Sequence, residues 1–263
     1  MTLRTSTVDI ATRDGIADAF LAAPDDLTHH PGVLLYMDAI GPRPRLEEMA
    51  EYIAGHGYVV LLPHVFYRQG PAPLVDTSSL KDPGLRDALL EKVSPRMQEL
   101  TPERAASDAD AYVGYLRSHD QVASGPIGVV GYCMGGGLAL RTAAEHPADV
   151  GAVAAFHPAG LATDAPDSPH LLADRIQAEV YVASADEDRS MPPEQQQRLD
   201  AALTEAGVTH VCEQYDGAPH GFTMSDTVAY DEAATARHWR ALFGLFARTL
   251  KDPVEVAHSR RGA

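Results

Sequence analysis

Basic residues are scarce in this chain: 21 Lys and Arg stand against 37 Asp and Glu among 263 residues, a formal net charge of −16, and the pI is near 5.0. A field of that sign repels phosphate backbones and anionic bilayers, which excludes nucleic acid and membrane as expected partners. Cysteine is scarcer still, with only Cys133 and Cys212, so no disulfide framework underlies the fold. Long apolar runs are missing too. None approaches the roughly 20 residues that span a bilayer, and Met1 to Ala22 lacks the basic and apolar regions of a secretory leader. The expectation is a soluble cytoplasmic protein, monomer or homodimer. No closely spaced His, Cys, Asp and Glu set looks like a metal site, and there is no Gly-x-x-x-x-Gly-Lys phosphate loop.

What is present is a hydrophobic content of 45%, enough for a substantial core in one domain spanning residues 1–263. Ser6 to Thr12 and Ile16 to Ala22 alternate in polarity across Arg13-Asp14-Gly15, a hairpin signal that predicts an antiparallel pair. Strands then alternate with helices. Strands are expected at Gly32 to Met37, Tyr58 to Leu62, Ile127 to Val130, Val150 to Phe156, Val180 to Ala185 and Thr209 to Tyr215. Helices are expected at Pro44 to His56, Pro102 to His119, Met134 to Glu145, Pro193 to Ala206 and about Thr227 to Leu250. This order predicts an α/β class: a mostly parallel sheet covered by helices on both faces, opened by the hairpin. In the last helix, Ala236, Trp239, Phe243, Phe246 and Leu250 recur at helical spacing as one packing face. Gln69 to Thr101, rich in Gly and Pro around a short helix at Gly84 to Lys92, breaks the rhythm and suits a lid or pocket wall. Lys251 to Ala263 is polar and aperiodic, a loosely held tail.

The chemistry concentrates at Gly131-Tyr132-Cys133-Met134-Gly135-Gly136, a buried strand running into a cysteine and then a helix. A nucleophile at so sharp a turn is thrust away from the backbone, and glycines two residues to either side relieve the crowding. The following helix aims its free N–H groups at the sulfur, which favours thiolate. Cys133 is therefore the expected nucleophile and Cys212, in a strand-like run, a small core residue. Downstream, the loop Asp186-Glu187-Asp188 follows one strand and His220-Gly221-Phe222 follows another. Nucleophile, acid, histidine is the chain order of an α/β-hydrolase. His220 is the expected base. Asp186, first after its strand, is the favoured acid, with Asp188 second. Backbone N–H groups of Met134 and Ala39 are the expected oxyanion donors. His64 and His157 follow strands as well, without a role assigned to either.

These residues resemble the dienelactone hydrolase family, marked by a Gly-Tyr-Cys-x-Gly-Gly elbow and a cysteine, aspartate and histidine triad; the likeness covers most of the chain. It implies an α/β-hydrolase fold and hydrolysis of a small ester or lactone through an acyl-thiol intermediate, with no metal or organic cofactor. A broad carboxylesterase or thioesterase with the same residues, and a non-catalytic ligand-binding or thiol-responsive protein, are the alternatives. The family's thiol-contacting glutamate stands here as Asp38, and the arginine four residues after its histidine stands as Met224. Tyr132, Phe222, Met224 and Tyr67 are expected near the mouth of an apolar pocket. Arg68, or Arg43 or Arg45, would replace the missing positive charge.

Overall fold

The computed structural model describes residues 1–77, 80–82, 84 and 86–250. Eight strands form one sheet: β1 (Leu3–Thr12), β2 (Gly15–Pro24), β3 (Gly32–Tyr36), β4 (Val59–Pro63), β5 (Ile127–Tyr132), β6 (Val150–Phe156), β7 (Glu179–Ala185) and β8 (His210–Tyr215), in the spatial order β1-β2-β4-β3-β5-β6-β7-β8. β1 and β2 are an antiparallel hairpin, β2 runs antiparallel to β4, and β3 through β8 are parallel. β3, β4 and β5 are buried along their whole length. That is the signature of parallel strands covered on both faces. The helices are α1 (Pro44–Ala54), α2 (Arg86–Glu99), α3 (Pro102–Ser118), α4 (Met134–Glu145), α5 (Pro193–Glu205) and α6 (Glu232–Thr249). Among the described residues no helix is long and apolar enough to cross a membrane.

Local chemistry sets the helix starts. Thr101 caps α3 by accepting a hydrogen bond from the Arg104 N–H, with Pro102 in the first turn, and Asp231 caps α6 through the Ala234 N–H at 2.7 Å. α6 therefore begins at Glu232, five residues after the expected Thr227. Its inner face is also turned from the expected one. Ala234, Thr235, His238, Leu242, Leu245 and Phe246 are buried, while Ala236 is exposed. Two of the buried residues are polar, and each finds a partner inside: Thr235 Oγ1 donates to the Phe222 carbonyl and His238 Nε2 meets the Tyr132 hydroxyl at 2.9 Å. Trp239 and Phe243 sit at the margin against Tyr52 and His56. α2 starts at Arg86 and runs through Pro95 to Glu99, longer than the short helix expected at Gly84 to Lys92. The tail Lys251 to Ala263 lies outside the described residues.

The centre of the sheet fixes the position of Cys133. β5 turns directly into α4, and Cys133 at the turn has φ 55° and ψ −121°. No side chain other than glycine relieves the contacts around it. A Cβ on Gly131 would meet the Gly135 carbonyl oxygen at 1.9 Å, and one on Gly135 would meet the Met37 carbonyl oxygen at 2.5 Å. Backbone hydrogen bonds hold the strained residue: its N–H donates to the Phe156 carbonyl, and its own carbonyl accepts from the Gly136 and Ala159 N–H groups. Substituting Gly131→Ala should destabilise the fold by about 3 kcal/mol or more, because rigid backbone must move to admit the methyl. Gly114→Ala, on α3 with nothing near its added Cβ, should stabilise by about 0.5–1 kcal/mol. Urea denaturation of both variants checks the contrast.

Candidate active site

Three loops at the carboxyl ends of β5, β7 and β8 bring the site together. Cys133 leaves β5, Asp188 follows β7 and His220 follows β8. His220 Nδ1 lies 2.6 Å from Asp188 Oδ2, and the imidazole interacts with Cys133 at the wall of the same cavity. Burial opposes charge on this ring, yet the hydrogen bond and charge of Asp188 and the interaction with Cys133 prevail, pushing His220 up to about 10. Asp188 is correspondingly held below the usual carboxylate range: burial pulls upward, but the hydrogen bond and charge of His220 and a bond from the Ser190 N–H outweigh it.

The carboxylate on His220 is thus Asp188, which corrects the preference for Asp186. Glu187 between them takes φ 48°, so the chain reverses and two acids a step apart serve different neighbours. Asp186 instead accepts from Gln214 Nε2 at 2.9 Å and from the Gly217 N–H at 2.8 Å, bracing the loop after β8. Strand-end counting carries no signal for that reversal.

Asp38 also departs from expectation. Arg43, itself 3% exposed, donates from both terminal nitrogens to the two Asp38 oxygens at 2.8 Å each. Its Nε reaches Asp226 at 2.5 Å. Asp38 borders the cavity, but its carboxylate is committed to the guanidinium rather than to the thiol. Arg43 is equally committed. The Ile40 and Gly41 N–H groups donate to Asp38, while that of Ala39 finds no acceptor among the described residues. The Met134 N–H, first in α4, has no intrahelical acceptor either.

These groups open onto a cavity of about 240 Å³. Cys133, His157 and His220 supply its reactive wall, and Ile40, Val75, Val93, Met224, Val228 and Ala229 supply apolar surface. Val75, Leu80, Ala88 and Val93 come from the irregular stretch 69–101, whose described part is therefore a wall of the pocket. Lys92 stands at that wall together with Asp76 and Asp82. His157 was left without a role by its sequence; it is fully buried, at φ 38°, with Nε2 2.8 Å from Thr223 Oγ1 and its ring edge-on to His220 at 5.3 Å. Burial, reinforced by His220 and His238, keeps it well below the ordinary histidine value and neutral.

Five other expectations are corrected by packing. Tyr132 is buried against His238, and Phe222 stacks on Tyr215 with its edge to His157; neither lines the cavity. Arg68 pairs with Asp108 and Asp14, and Tyr67 bonds Thr12 and Asp108, so both belong to the hairpin side of the sheet. Arg45 donates to the Thr223 carbonyl. His64 pairs with Asp18 beside a separate cavity. Cys212 is half-buried and packs on the core, where burial first and Asp200 second push its thiol up to about 12.

The sheet, the strained turn after β5 and the loops that meet there define an α/β-hydrolase. The model of the dienelactone hydrolase family matches residues 17–250, and the chain belongs to that family. It is 30% identical to a carboxymethylenebutenolidase of Rhodococcus opacus over 88% of this chain and 86% of the relative. It is 28% identical to the hydrolase tropI of Talaromyces stipitatus over 78% of this chain and 75% of that one. Among solved structures, a dienelactone hydrolase-like promiscuous phosphotriesterase from metagenomic libraries matches with TM-score 0.79 at 21% identity, covering 95% of this chain and 100% of the other. The dienelactone hydrolase of Anabaena variabilis matches with TM-score 0.65 at 16% identity, over 95% and 100%. These two likenesses are of fold.

In Asp188→Asn the His220 ring, followed by NMR, should titrate well below its parent value of about 10, whereas Asp186→Asn should leave it in place. The sign for stability follows. A folded value of about 10 above an ordinary 6.5 gives a contribution complete below 6.5 and lost as pH rises through 10. Urea midpoints of the parent and Asp188→Asn should therefore draw closer across that interval.

Proposed function

We propose that this protein hydrolyses small neutral esters or lactones, with Cys133 as nucleophile, His220 as proton carrier and Asp188 as the group that orients and stabilises the imidazole. The observation that carries this reading is the line from Asp188 through His220 to Cys133 at the wall of the 240 Å³ cavity. His220 already holds the proton of the Cys133 thiol, and the sulfur attacks the carbonyl carbon, forming the Sγ–C bond as the C=O π electrons move onto oxygen. The carboxylate of Asp188 keeps the proton on the imidazolium until the tetrahedral intermediate collapses. His220 then delivers it to the departing oxygen as the C–O bond breaks, leaving an acyl-thiol. A water molecule gives a proton to His220 and adds to the carbonyl, the S–C bond breaks, and the sulfur leaves as the partner of the imidazolium while the acid is released. Asp188 need not change protonation in either half.

Negative charge on the carbonyl oxygen is met by the N–H groups of Met134 and Ala39, each of the kind whose loss costs about 3 kcal/mol. Neither has an acceptor among the described residues. The lining selects against an anionic substrate. Met224 stands where an arginine would receive a carboxylate, Arg43 is neutralised by Asp38 and Asp226, and Lys92 shares its wall with Asp76 and Asp82. Apolar acyl groups fit the remaining surface better than a dienelactone carboxylate does.

A chromogenic ester assay tests the proposal. Cys133→Ala should lose about 10⁴-fold or more in kcat, and Cys133→Ser should lose heavily as well because a hydroxyl is far harder to ionise. Full activity in the alanine variant would remove the nucleophile from the scheme. Short aryl esters with apolar acyl groups should turn over with higher kcat/KM than a dienelactone. A preference for the dienelactone would overturn the substrate assignment.

A further inference from the structure

Far from the cavity, a second group of side chains converges between α5 and the edge strand β8. Asp200 of α5 and His210 and Cys212 of β8 each offer one ligand atom, and all three atoms lie within 4.8 Å of one another. His210 and Cys212 are two residues apart on a strand and so share a face. They occupy the first half of β8, whereas Cys133 and His220 lie beyond the carboxyl ends of their strands.

The hydrogen bonds of His210 already set its ring in the direction a metal ligand needs. Nδ1 donates to the Val208 carbonyl at 2.8 Å, which turns the other ring nitrogen toward α5. Nε2 lies 3.2 Å from Asp200 Oδ1. A cation bound there would take that nitrogen and the carboxylate together. The Val208 carbonyl has the place of the outer partner that fixes the tautomer and direction of a metal-binding histidine.

We propose that Asp200, His210 and Cys212 bind a divalent cation of the zinc class, with water completing a tetrahedral set. Thiolate and imidazole together favour zinc or cobalt over magnesium or calcium, which prefer all-oxygen sites. Three protein ligands from one strand and one helix leave a fourth position for solvent. A cavity of about 250 Å³ bordered by Asp200, Cys212, Gln196 and Glu213 gives the ion a path in. Binding forms the metal–sulfur bond and releases the thiol proton to solvent. The cation ties α5 to β8, the edge strand of the sheet, so its effect is on stability rather than on hydrolysis. Sequence spacing alone hides the site, because Asp200 lies ten residues before His210 on a different element.

Cobalt added to the metal-stripped Cys133→Ala protein tests this, since that background removes the other thiol and any dependence on catalysis. We expect one equivalent to give a thiolate-to-cobalt charge-transfer band in the near ultraviolet, displaced by zinc. Adding Cys212→Ser should abolish the band. Adding Asp200→Asn, at an exposed position that folding tolerates, should weaken binding by at least the roughly 10- to 100-fold that loss of an outer partner alone costs. Zinc should raise the thermal midpoint of the protein with natural Cys212 and leave that of Cys212→Ser unchanged. A band that survives Cys212→Ser, affinity indifferent to Asp200→Asn, or no band in a folded protein would overturn the site and leave His210 and Asp200 as an ordinary ion pair.

Discussion

The near-contact of two backbones at Gly131 and Gly135 is the constraint on which the rest of the molecule depends. β5, the first turn of α4 and the end of β3 pass so close that a methyl group on Gly131 would strike the Gly135 carbonyl oxygen and one on Gly135 would strike that of Met37. This closeness places Cys133 in a left-handed conformation that an L-residue ordinarily avoids, at a cost of order 1–3 kcal/mol. The surrounding sheet supplies that energy. β3, β5 and β6 are packed and paired around the turn, and the hydrogen bonds from Cys133 to Phe156 and from Ala159 to Cys133 leave it no relaxed alternative. A reactive sulfur is thereby held by the stiffest part of the fold rather than by a loop.

Around the sulfur, charge is arranged by pairing rather than by accumulation. His220 sits between Asp188 and Cys133, and the attraction of both exceeds the burial that would otherwise keep the ring neutral. Burial and the neighbouring His220 and His238 keep His157 uncharged, so the site holds one ionisable imidazole and one polar but neutral one. Arg43 is buried only because Asp38 and Asp226 accept its hydrogen bonds, an arrangement that fixes the loop bearing Ala39. The strongly acidic surface therefore coexists with a cavity whose reactive wall is compensated and whose remaining lining is largely apolar.

Much of this was legible in the residues. Six parallel strands, the hairpin and the elbow carry periodic or glycine-based signals that depend on near neighbours in sequence, and the structure has them within a few residues of their expected bounds. Legibility failed where a choice depended on partners distant in the chain. Asp186 and Asp188 are equivalent by position in their loop; the left-handed Glu187 and the loop of Gly217 separate them. The residue it replaces points Asp38 toward the thiol, but Arg43, five positions on, claims both of its oxygens. The inner face of α6 was assigned by hydrophobicity, yet His238 and Thr235 displace Ala236 from it because Tyr132 and the Phe222 carbonyl offer them hydrogen bonds.

By itself the sequence determined the α/β order, the strained cysteine turn and the histidine that answers it, since each rests on patterns within a dozen residues and on glycine's freedom from a Cβ. Tertiary structure alone decided which acid meets His220, which cations are free, and which side chains face the cavity or the Asp200 cluster. The reason is physical: propensity and periodicity act through bonded neighbours, whereas a hydrogen bond or ion pair is won by whichever group the folded chain brings within about 3 Å.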